Sequence, residues 1–257
     1  MPTYENIRLE IDDRVARITF CRQPLNIFNI AMMREINAAL TTLSQEILVA
    51  IVFDADKNCS AFSAGVAVED HAPEMVYQML DTFHSIFRSL EQLAKPTIAL
   101  VDGPALGGGC ELVAGCDIVI SSDRGKFGQP EVKLGVFPPV AALLLPSVIG
   151  DKKARELIMT GEIIDAVEAG RLRLCNHVVP VAQLEQKLME VLSKLREQSA
   201  SALEFSRRAL DLGRSQTLDE TLKEVENVYL HELMKSYDAS EGVQAFLEKR
   251  KPVWRNR

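Results

Sequence analysis

The chain has 257 residues, of which 47% are hydrophobic and 25% charged, values that are ordinary for a soluble globular protein. The length allows one large domain, or one domain with a small appendage. A formal net charge of −7 disfavours nonspecific binding of nucleic acid through bulk charge. No apolar run approaches the roughly 18 residues of a membrane span, and residues 1–10 do not resemble a secretory signal. We therefore expect a cytoplasmic protein with no membrane partner.

Neither the cysteines nor the histidines have the spacing of a metal site. The 5 cysteines form no CxxC pair, and Cys110 and Cys116 lie in a glycine-rich and then apolar stretch. The 4 histidines are widely spaced and lack carboxylates at ligand spacing. We expect reduced, mostly buried thiols and no bound metal.

The first half of the chain alternates between strand and helix patterns. Two runs with period-two alternation surround Asp12 and Asp13, which predicts an antiparallel hairpin. Further on, apolar residues recur at helical spacing between continuous apolar runs that are typical of buried strands. The predicted elements are a hairpin at 7–11 and 15–20, helices at 30–43 and about 73–93, and strands at 48–53, 97–101 and 118–121. This alternation indicates an α/β layer structure with crossover helices.

The second half of the chain has a different pattern. Residues 151–251 are predicted to be almost wholly helical, with one short apolar run at 178–181 as a possible exception. The clearest predicted helices are at 184–195, 202–212 and 218–234. No repeat or flexible linker is present, and we predict a core at 1–195 followed by a helical region at 196–257.

Three consecutive glycines, Gly107 to Gly109, follow a predicted buried strand and precede an apolar helix pattern. Glycine runs lose much entropy on folding, so they usually answer a need for positive φ or close backbone approach. The N–H groups of such a turn can hold a phosphate or an oxyanion. A tight, closely packed turn is the alternative reading. The pattern is neither GxGxxG nor a Walker loop.

A second turn of small residues and two glutamates complete the candidate site. Residues 61–66 (AFSAGV) follow the strand at 48–53 and allow close approach to the backbone. Glu111 and Glu131 each lie in apolar surroundings, which should raise their pKa values and suit them to acid and base roles. Taken singly, each is also compatible with a solvated surface glutamate or a helix N-terminal charge.

Together these segments resemble the crotonase superfamily, over essentially the whole chain. The resemblance is carried by FSAGV at 62–66, GPALGGGCELVAGCDIVISSD at 103–123 and FGQPEVKLGVFP at 127–138. The ending EGVQAFLEKRKP at 241–252 is similar to the C-terminal segment of enoyl-CoA hydratases. Membership implies a core built as a spiral of ββα turns. It also implies a helical C-terminal region that forms trimers, usually paired as a dimer of trimers, hence a hexamer.

The resemblance implies roles for four residues. The backbone N–H groups of Val66 and Gly108 correspond to an oxyanion hole, in which one donor is typically worth about 3 kcal/mol. Glu111 is expected to take a proton from the attacking water, and Glu131 to supply a proton at the other addition site. Hydratases of this superfamily have glutamate at both positions, whereas isomerases and thioester hydrolases often replace one. The pair therefore favours hydration.

The same resemblance implies a coenzyme A thioester as substrate, with no separate cofactor because CoA is part of the substrate. The positions that match CoA-binding residues are Leu25, Ala64, Val66, Val68, Phe246 and Lys249. The last two correspond to residues that often reach the nucleotide end of CoA from a neighbouring subunit. Lys249 is equally placed to be a solvated residue of the basic run 249–251.

Departures from the common hydratase pattern bear on the acyl group. Residues 64–67 read AGVA where AGAD is common, and 135–142 read GVFPPVAA in place of a glycine-rich stretch. Proline and valine should stiffen that stretch and reshape the acyl pocket. His71, close to the first departure, is a candidate contact for the acyl group.

These departures make the chain most similar to the cyclohexa-1,5-diene-1-carbonyl-CoA hydratases of anaerobic aromatic degradation. Such enzymes add water 1,4 across the diene to give a 6-hydroxycyclohex-1-ene thioester. A straight-chain enoyl-CoA hydratase of fatty-acid oxidation is the main alternative. An acyl-CoA isomerase or hydrolase and a non-catalytic CoA-binding protein are further alternatives, which the intact glutamate pair disfavours.

Overall fold

The computed structural model describes residues 3–212, 231–232, 235–239, 241, 245 and 248–256. The strands are β1 (Ile7–Asp12), β2 (Val15–Phe20), β3 (Ala50–Ala55), β4 (Thr97–Val101), β5 (Pro104–Leu106), β6 (Ile118–Ser122), β7 (Lys126–Gly128), β8 (Ile163–Asp165) and β9 (His177–Val179). The α-helices are α1 (Ile30–Leu43), α2 (Val76–Leu93), α3 (Gly108–Gly115), α4 (Pro139–Ile149), α5 (Asp151–Thr160), α6 (Ala166–Arg171), α7 (Leu184–Arg196) and α8 (Ala200–Leu212).

The strands form two sheets, and successive turns of the chain contribute strands to both. The larger sheet has the order β1-β2-β3-β4-β6-β9, antiparallel between β1 and β2 and parallel elsewhere. The smaller sheet has the order β5-β7-β8. In β4-β5-α3 and again in β6-β7-α4, the first strand joins the larger sheet and the second joins the smaller. The molecule therefore has the ββα spiral that the sequence predicted.

Strand β4 is apolar on both faces because both of its faces are buried. All five of its residues are buried, and alternate side chains enter different cores. Ala99 and Val101 pack in the core that includes residues of α1, α2 and α3. Ile98 and Leu100 pack on the opposite face against the apolar stripe of α7. The larger sheet thus lies between two helical layers, and its buried strands hold the connections to the smaller sheet in place.

The start of α1 is fixed by two side chains that bind its first N–H groups. The Asn29 side chain accepts the N–H of Met32 and caps α1. The Asp70 carboxylate accepts the N–H of Ile30 at 2.9 Å, which ties the 3₁₀ turn Val68–His71 to the start of α1. Asp70 therefore supplies a polar anchor close to the position where the sequence lacks the common aspartate.

Most predicted elements of the first half are confirmed, including the hairpin and the helix at Ile30–Leu43. The strands β5, β7 and β8 were not predicted, because three residues are too few to show a period. The exception expected at 178–181 is β9, which begins and ends slightly earlier. The predicted helix at 218–234 lies largely outside the described residues. None of the described helices is both long and apolar enough to cross a bilayer.

Arg207 connects α8 to the core and is itself buried. Its Nε donates to Asp117 Oδ2 at 2.9 Å, and its Nη1 donates to the carbonyl oxygen of Leu90 at 2.9 Å. Asp117 Oδ2 in turn accepts the N–H of Thr97 at the start of β4 at 2.7 Å. One guanidinium therefore joins α8, the end of α2 and the larger sheet. The predicted boundary between 1–195 and 196–257 remains a prediction.

Removing the Arg207 guanidinium should destabilise the fold. In Arg207→Ala the Asp117 carboxylate loses its cation, so the free energy of unfolding should fall by about 3 kcal/mol in urea denaturation. The matched control is Arg208→Ala, because Arg208 pairs with Glu232 at the surface and its loss should cost no more than about 1 kcal/mol. Equal effects of the two substitutions would contradict the connecting role of Arg207.

Candidate active site

Two turns, 62–66 and 107–108, lie side by side because strand β5 binds the first of them. The N–H of Leu106 donates to the Ser63 carbonyl oxygen at 2.9 Å, and the N–H of Ser63 donates to the Pro104 carbonyl oxygen. Gly65 has φ +109°, and a Cβ there would lie 3.1 Å from the Leu106 oxygen. The same Cβ would be 3.6 Å from the Gly108 nitrogen, so glycine permits the close approach.

The backbone N–H groups of Val66 and Gly108 are available at this junction. Val66 forms a parallel β-bridge with Phe28. The Phe28 N–H donates to the Gly65 carbonyl oxygen, and the Phe28 carbonyl oxygen accepts the Ala67 N–H. The Val66 N–H therefore points away from Phe28. Gly108 is the first residue of α3, where a helix has no internal acceptor for the N–H. Two adjacent donors of this kind can bind one oxygen atom that carries negative charge.

Glu111 lies one turn into α3 and is only 3% exposed. Its Oε1 accepts the N–H of Ala141 at 2.8 Å, at the N-terminal end of α4. Burial raises the pKa of the Glu111 carboxyl to about 7; the Ala141 hydrogen bond opposes this rise, and the Glu131 carboxylate adds to it. Glu111 therefore has a fixed orientation and can exchange a proton near neutral pH.

Glu131 lies in the 3₁₀ helix Pro130–Leu134, immediately after β7. Burial raises the pKa of the Glu131 carboxyl to about 7 as well. Its Oε2 is buried and has no hydrogen-bond partner among the described residues. A Cβ on Gly107 would lie 2.6 Å from Glu131 Oε1, so the glycine makes room for this carboxylate beside α3. An unpaired buried carboxylate oxygen is costly unless a ligand or water binds it.

Both carboxylates line one cavity of about 390 Å³, which we call the carboxylate cavity. Its walls come from the turn at 64–71, from α2, from Gly107 and Glu111, and from residues 130–139. Among the described residues that line the cavity, His71 is the only other one with a titratable side chain, and its Nδ1 lies 2.9 Å from the Ala67 carbonyl oxygen. All other lining side chains are apolar, which explains the desolvation of the two glutamates.

The positions predicted to bind CoA are only partly brought together. Ala64, Val66 and Val68 line the carboxylate cavity. Leu25 does not, but its carbonyl oxygen accepts the N–H of Ala64 at 2.9 Å and so lies beside the same turn. Lys249 is exposed and is not among the residues that line the cavity. Phe246 lies outside the described residues.

Sequence reasoning missed three contributors to this site. It treated residues 135–142 as a stiffened loop, whereas Pro139 begins α4 and thereby places the N–H of Ala141 against Glu111. Proline before an apolar run is a known helix-start signal and could have revealed this. The space that Gly107 leaves for Glu131, and the wall that Phe83 forms, depend on tertiary contacts and have no local signal.

Comparison with known proteins supports this description of the fold. Residues 10–257 match the family model of enoyl-CoA hydratase/isomerase. A probable enoyl-CoA hydratase of Mycobacterium bovis is 38% identical, with 99% of this chain and 100% of the relative covered. A cyclohexa-1,5-dienecarbonyl-CoA hydratase of Thauera aromatica is 36% identical, with 97% and 96% covered. The crystal structure of an enoyl-CoA hydratase of Bacillus anthracis gives a TM-score of 0.91 at 31% identity, with 98% and 100% covered.

The chain therefore belongs to the enoyl-CoA hydratase/isomerase family, within the crotonase superfamily. It is an enzyme of the enoyl-CoA hydratase type, a hydro-lyase.

Glu111→Gln should stabilise the protein in a pH-dependent way. The pKa of the Glu111 carboxyl rises from 4.5 to about 7 on folding. Ionisation therefore has no effect on stability below about pH 4.5, opposes folding increasingly from there, and does so fully above about pH 7. Replacement should therefore raise the free energy of unfolding at pH 8 by up to about 3 kcal/mol, and the gain should vanish towards pH 4.5. Denaturation of both proteins at several pH values measures this; a gain that does not change with pH would contradict the buried ionisation. Glu46→Gln, at an exposed position, controls for the loss of one charge.

Gly107→Ala should displace the Glu131 carboxylate. The new Cβ would lie 2.6 Å from Glu131 Oε1, and misplacing a reacting group by about 1 Å can cost about a hundredfold in rate. The matched control is Gly150→Ala, which has a similar strained φ of +84° but open space around the Cβ. We expect both variants to lose some thermal stability but only Gly107→Ala to lose most enoyl-CoA hydration. Normal turnover in Gly107→Ala would show that Glu131 does not need this space.

Proposed function

We propose that the protein hydrates cyclohexa-1,5-diene-1-carbonyl-CoA to 6-hydroxycyclohex-1-ene-1-carbonyl-CoA, with Glu111 and Glu131 as the catalytic acid–base pair. The observation that carries this proposal is the pair of desolvated carboxyls, each with a pKa of about 7, on one apolar cavity. Both groups can hold or release a proton at neutral pH, as addition of water across a double bond requires.

The adjacent N–H groups of Val66 and Gly108 supply the other requirement of the reaction. In our proposal they bind the thioester carbonyl oxygen and stabilise the negative charge that it gains when water attacks. Glu111 takes a proton from the water, whose oxygen bonds to ring carbon 2, and the electron pair of the diene moves towards the thioester oxygen. Glu131 then gives a proton to ring carbon 5. The remaining double bond joins carbons 1 and 6, which gives the hydroxylated ring of the product.

The hydrogen bonds of the two carboxylates support this division of roles. Glu111 already accepts a hydrogen bond from Ala141, which favours its ionised form and therefore the role of base. Glu131 has a buried Oε2 with no partner among the described residues, so this oxygen suits a protonated carboxyl that faces the ligand.

The choice of a cyclic diene rests on the wall at 135–139. Val136, Phe137, Pro138 and Pro139 replace the glycine-rich stretch and present apolar surface to the carboxylate cavity. The similarity to the Thauera aromatica hydratase supports the same substrate. The main alternative is a straight-chain enoyl-CoA hydratase, as the name of the Mycobacterium bovis relative suggests. An isomerase, a hydrolase or a silent protein is less favoured because both carboxylates are in place.

In this proposal the CoA part of the substrate follows the backbone from Leu25 to Ala64, Val66 and Val68, and no further cofactor takes part. Phe246 and Lys249 would contact its nucleotide end. Within a trimer or a dimer of trimers, they would do so from a neighbouring subunit. Lys249 is exposed in the single chain, so it is accessible for such a contact with a neighbouring subunit.

The first test compares products formed from cyclohexa-1,5-diene-1-carbonyl-CoA and crotonyl-CoA by chromatography and mass spectrometry. We expect the diene to gain one water and crotonyl-CoA to remain unchanged or to react far more slowly. Turnover of crotonyl-CoA alone would establish the straight-chain alternative instead. Release of free CoA thiol would indicate a hydrolase, and a shifted double bond with no added mass would indicate an isomerase.

The roles of the carboxylates are tested with Glu111→Gln and Glu131→Gln. Each variant should keep the fold and bind a saturated acyl-CoA, but turnover should fall by at least about a hundredfold, the typical contribution of one acid or base. Circular dichroism, calorimetry and the product assay measure these three properties. Near-normal turnover in either variant would remove that residue from the mechanism.

A further inference from the structure

A second cavity of about 480 Å³ is lined by residues of α2, α3 and α4, which also contribute to the carboxylate cavity, and by residues of α8. On α2, Phe83 lines the carboxylate cavity, whereas Phe87, one turn further on, lines the second cavity. On α3, Glu111 and Gly115 are related in the same way. Residues four apart share one helix face, so the two cavities lie in succession along the same faces of α2 and α3.

Phe83 lies at the boundary on the side of the carboxylate cavity, and Phe87 packs against it on the side of the second cavity. Their ring centroids are 5.2 Å apart and their planes meet at 80°, an edge-to-face contact. A Cβ on Gly108 would lie 3.1 Å from Phe83 Cζ, and one on Gly115 would lie 3.0 Å from Phe87 Cε1. Each ring therefore sits in a notch that a glycine leaves on α3. Pro139, at the start of α4, lines both cavities and stands at the same boundary.

The Phe83 ring is held firmly at this place. It is 2% exposed, and its centroid lies 6.4 Å from that of Phe28 and 6.3 Å from that of His84. Because a Cβ on Gly108 would lie 3.1 Å from its Cζ and 3.4 Å from its Cε2, the ring lies directly beside the proposed oxyanion donor. An acyl group whose carbonyl oxygen binds there must extend past this ring.

We infer that Phe83 is a specificity-determining residue that closes the carboxylate cavity and restricts the enzyme to compact acyl groups. A six-membered ring or a four-carbon chain fits in front of the Phe83 ring. A longer straight chain has to enter the second cavity, which Phe83 blocks. This inference rests on the proposed function only in placing the acyl group in the carboxylate cavity.

The test measures binding, so that it does not depend on turnover. Dissociation constants for butyryl-CoA and octanoyl-CoA are measured by calorimetry for the wild type, Phe83→Ala, Phe83→Leu and Phe87→Ala. Removing the Phe83 ring should join the two cavities, and the apolar side chains of Leu90, Val140 and Leu144 in the second cavity then become available to the four additional carbons. We expect the affinity for octanoyl-CoA relative to butyryl-CoA to rise at least about tenfold in Phe83→Ala, and less in Phe83→Leu.

Phe87→Ala is the matched control, because it removes a ring of equal size from the same helix without opening the carboxylate cavity. Its ratio of affinities should stay at the wild-type value. Thermal unfolding identifies folded variants, and Phe83→Leu carries the test if Phe83→Ala does not fold. An unchanged ratio in folded Phe83 variants, or an equal rise in Phe87→Ala, would overturn the inference. Failure of the proposed function would instead appear as a lack of diene hydration by the wild type, whatever these ratios are.

Discussion

The hydrogen bond from the Ala141 N–H to the Glu111 carboxylate is the contact on which the site most depends. It joins α3, which carries Glu111 and the N–H of Gly108, to the start of α4, which forms the wall of the cavity. Without such a bond a carboxylate that is 3% exposed would be very costly to ionise. This one hydrogen bond offsets only part of the cost of ionising the buried carboxyl. The part that is not offset raises the pKa of Glu111 to about 7.

The site illustrates how destabilising features can be concentrated where chemistry is needed. The Glu111 carboxylate is buried, the Glu131 carboxylate is partly buried, and one oxygen of Glu131 lacks a partner among the described residues. Each of these features lowers stability if considered alone. The two layers of helices around the larger sheet, with β4 buried on both faces, provide the apolar burial that offsets them.

The glycines of α3 and the glycine that precedes it serve more than one purpose. Gly107 leaves space for Glu131, Gly108 offers its N–H and accommodates the Phe83 ring, and Gly115 accommodates Phe87. A short helix with small residues on one face can bring a reactive carboxylate, a backbone donor and two aromatic rings close together. The proposed oxyanion donor, the proposed base and the space for the two rings therefore come from neighbouring positions of one eight-residue helix.

The sequence by itself determined the elements with a strong period and the residues with unusual chemistry. Helix α1 and strand β4 could be predicted because their apolar patterns extend over many residues or form an uninterrupted run. Glu111, Glu131 and the glycine turn could be identified because charged groups and glycines are uncommon in apolar stretches. Only the tertiary structure decided that the two glutamates share a cavity, that α4 binds Glu111 and that Phe83 packs against Gly108. These features arise from contacts between residues 20 or more positions apart, such as Glu111 with Ala141 or Phe83 with Gly108, and local periodicity carries no information about such contacts.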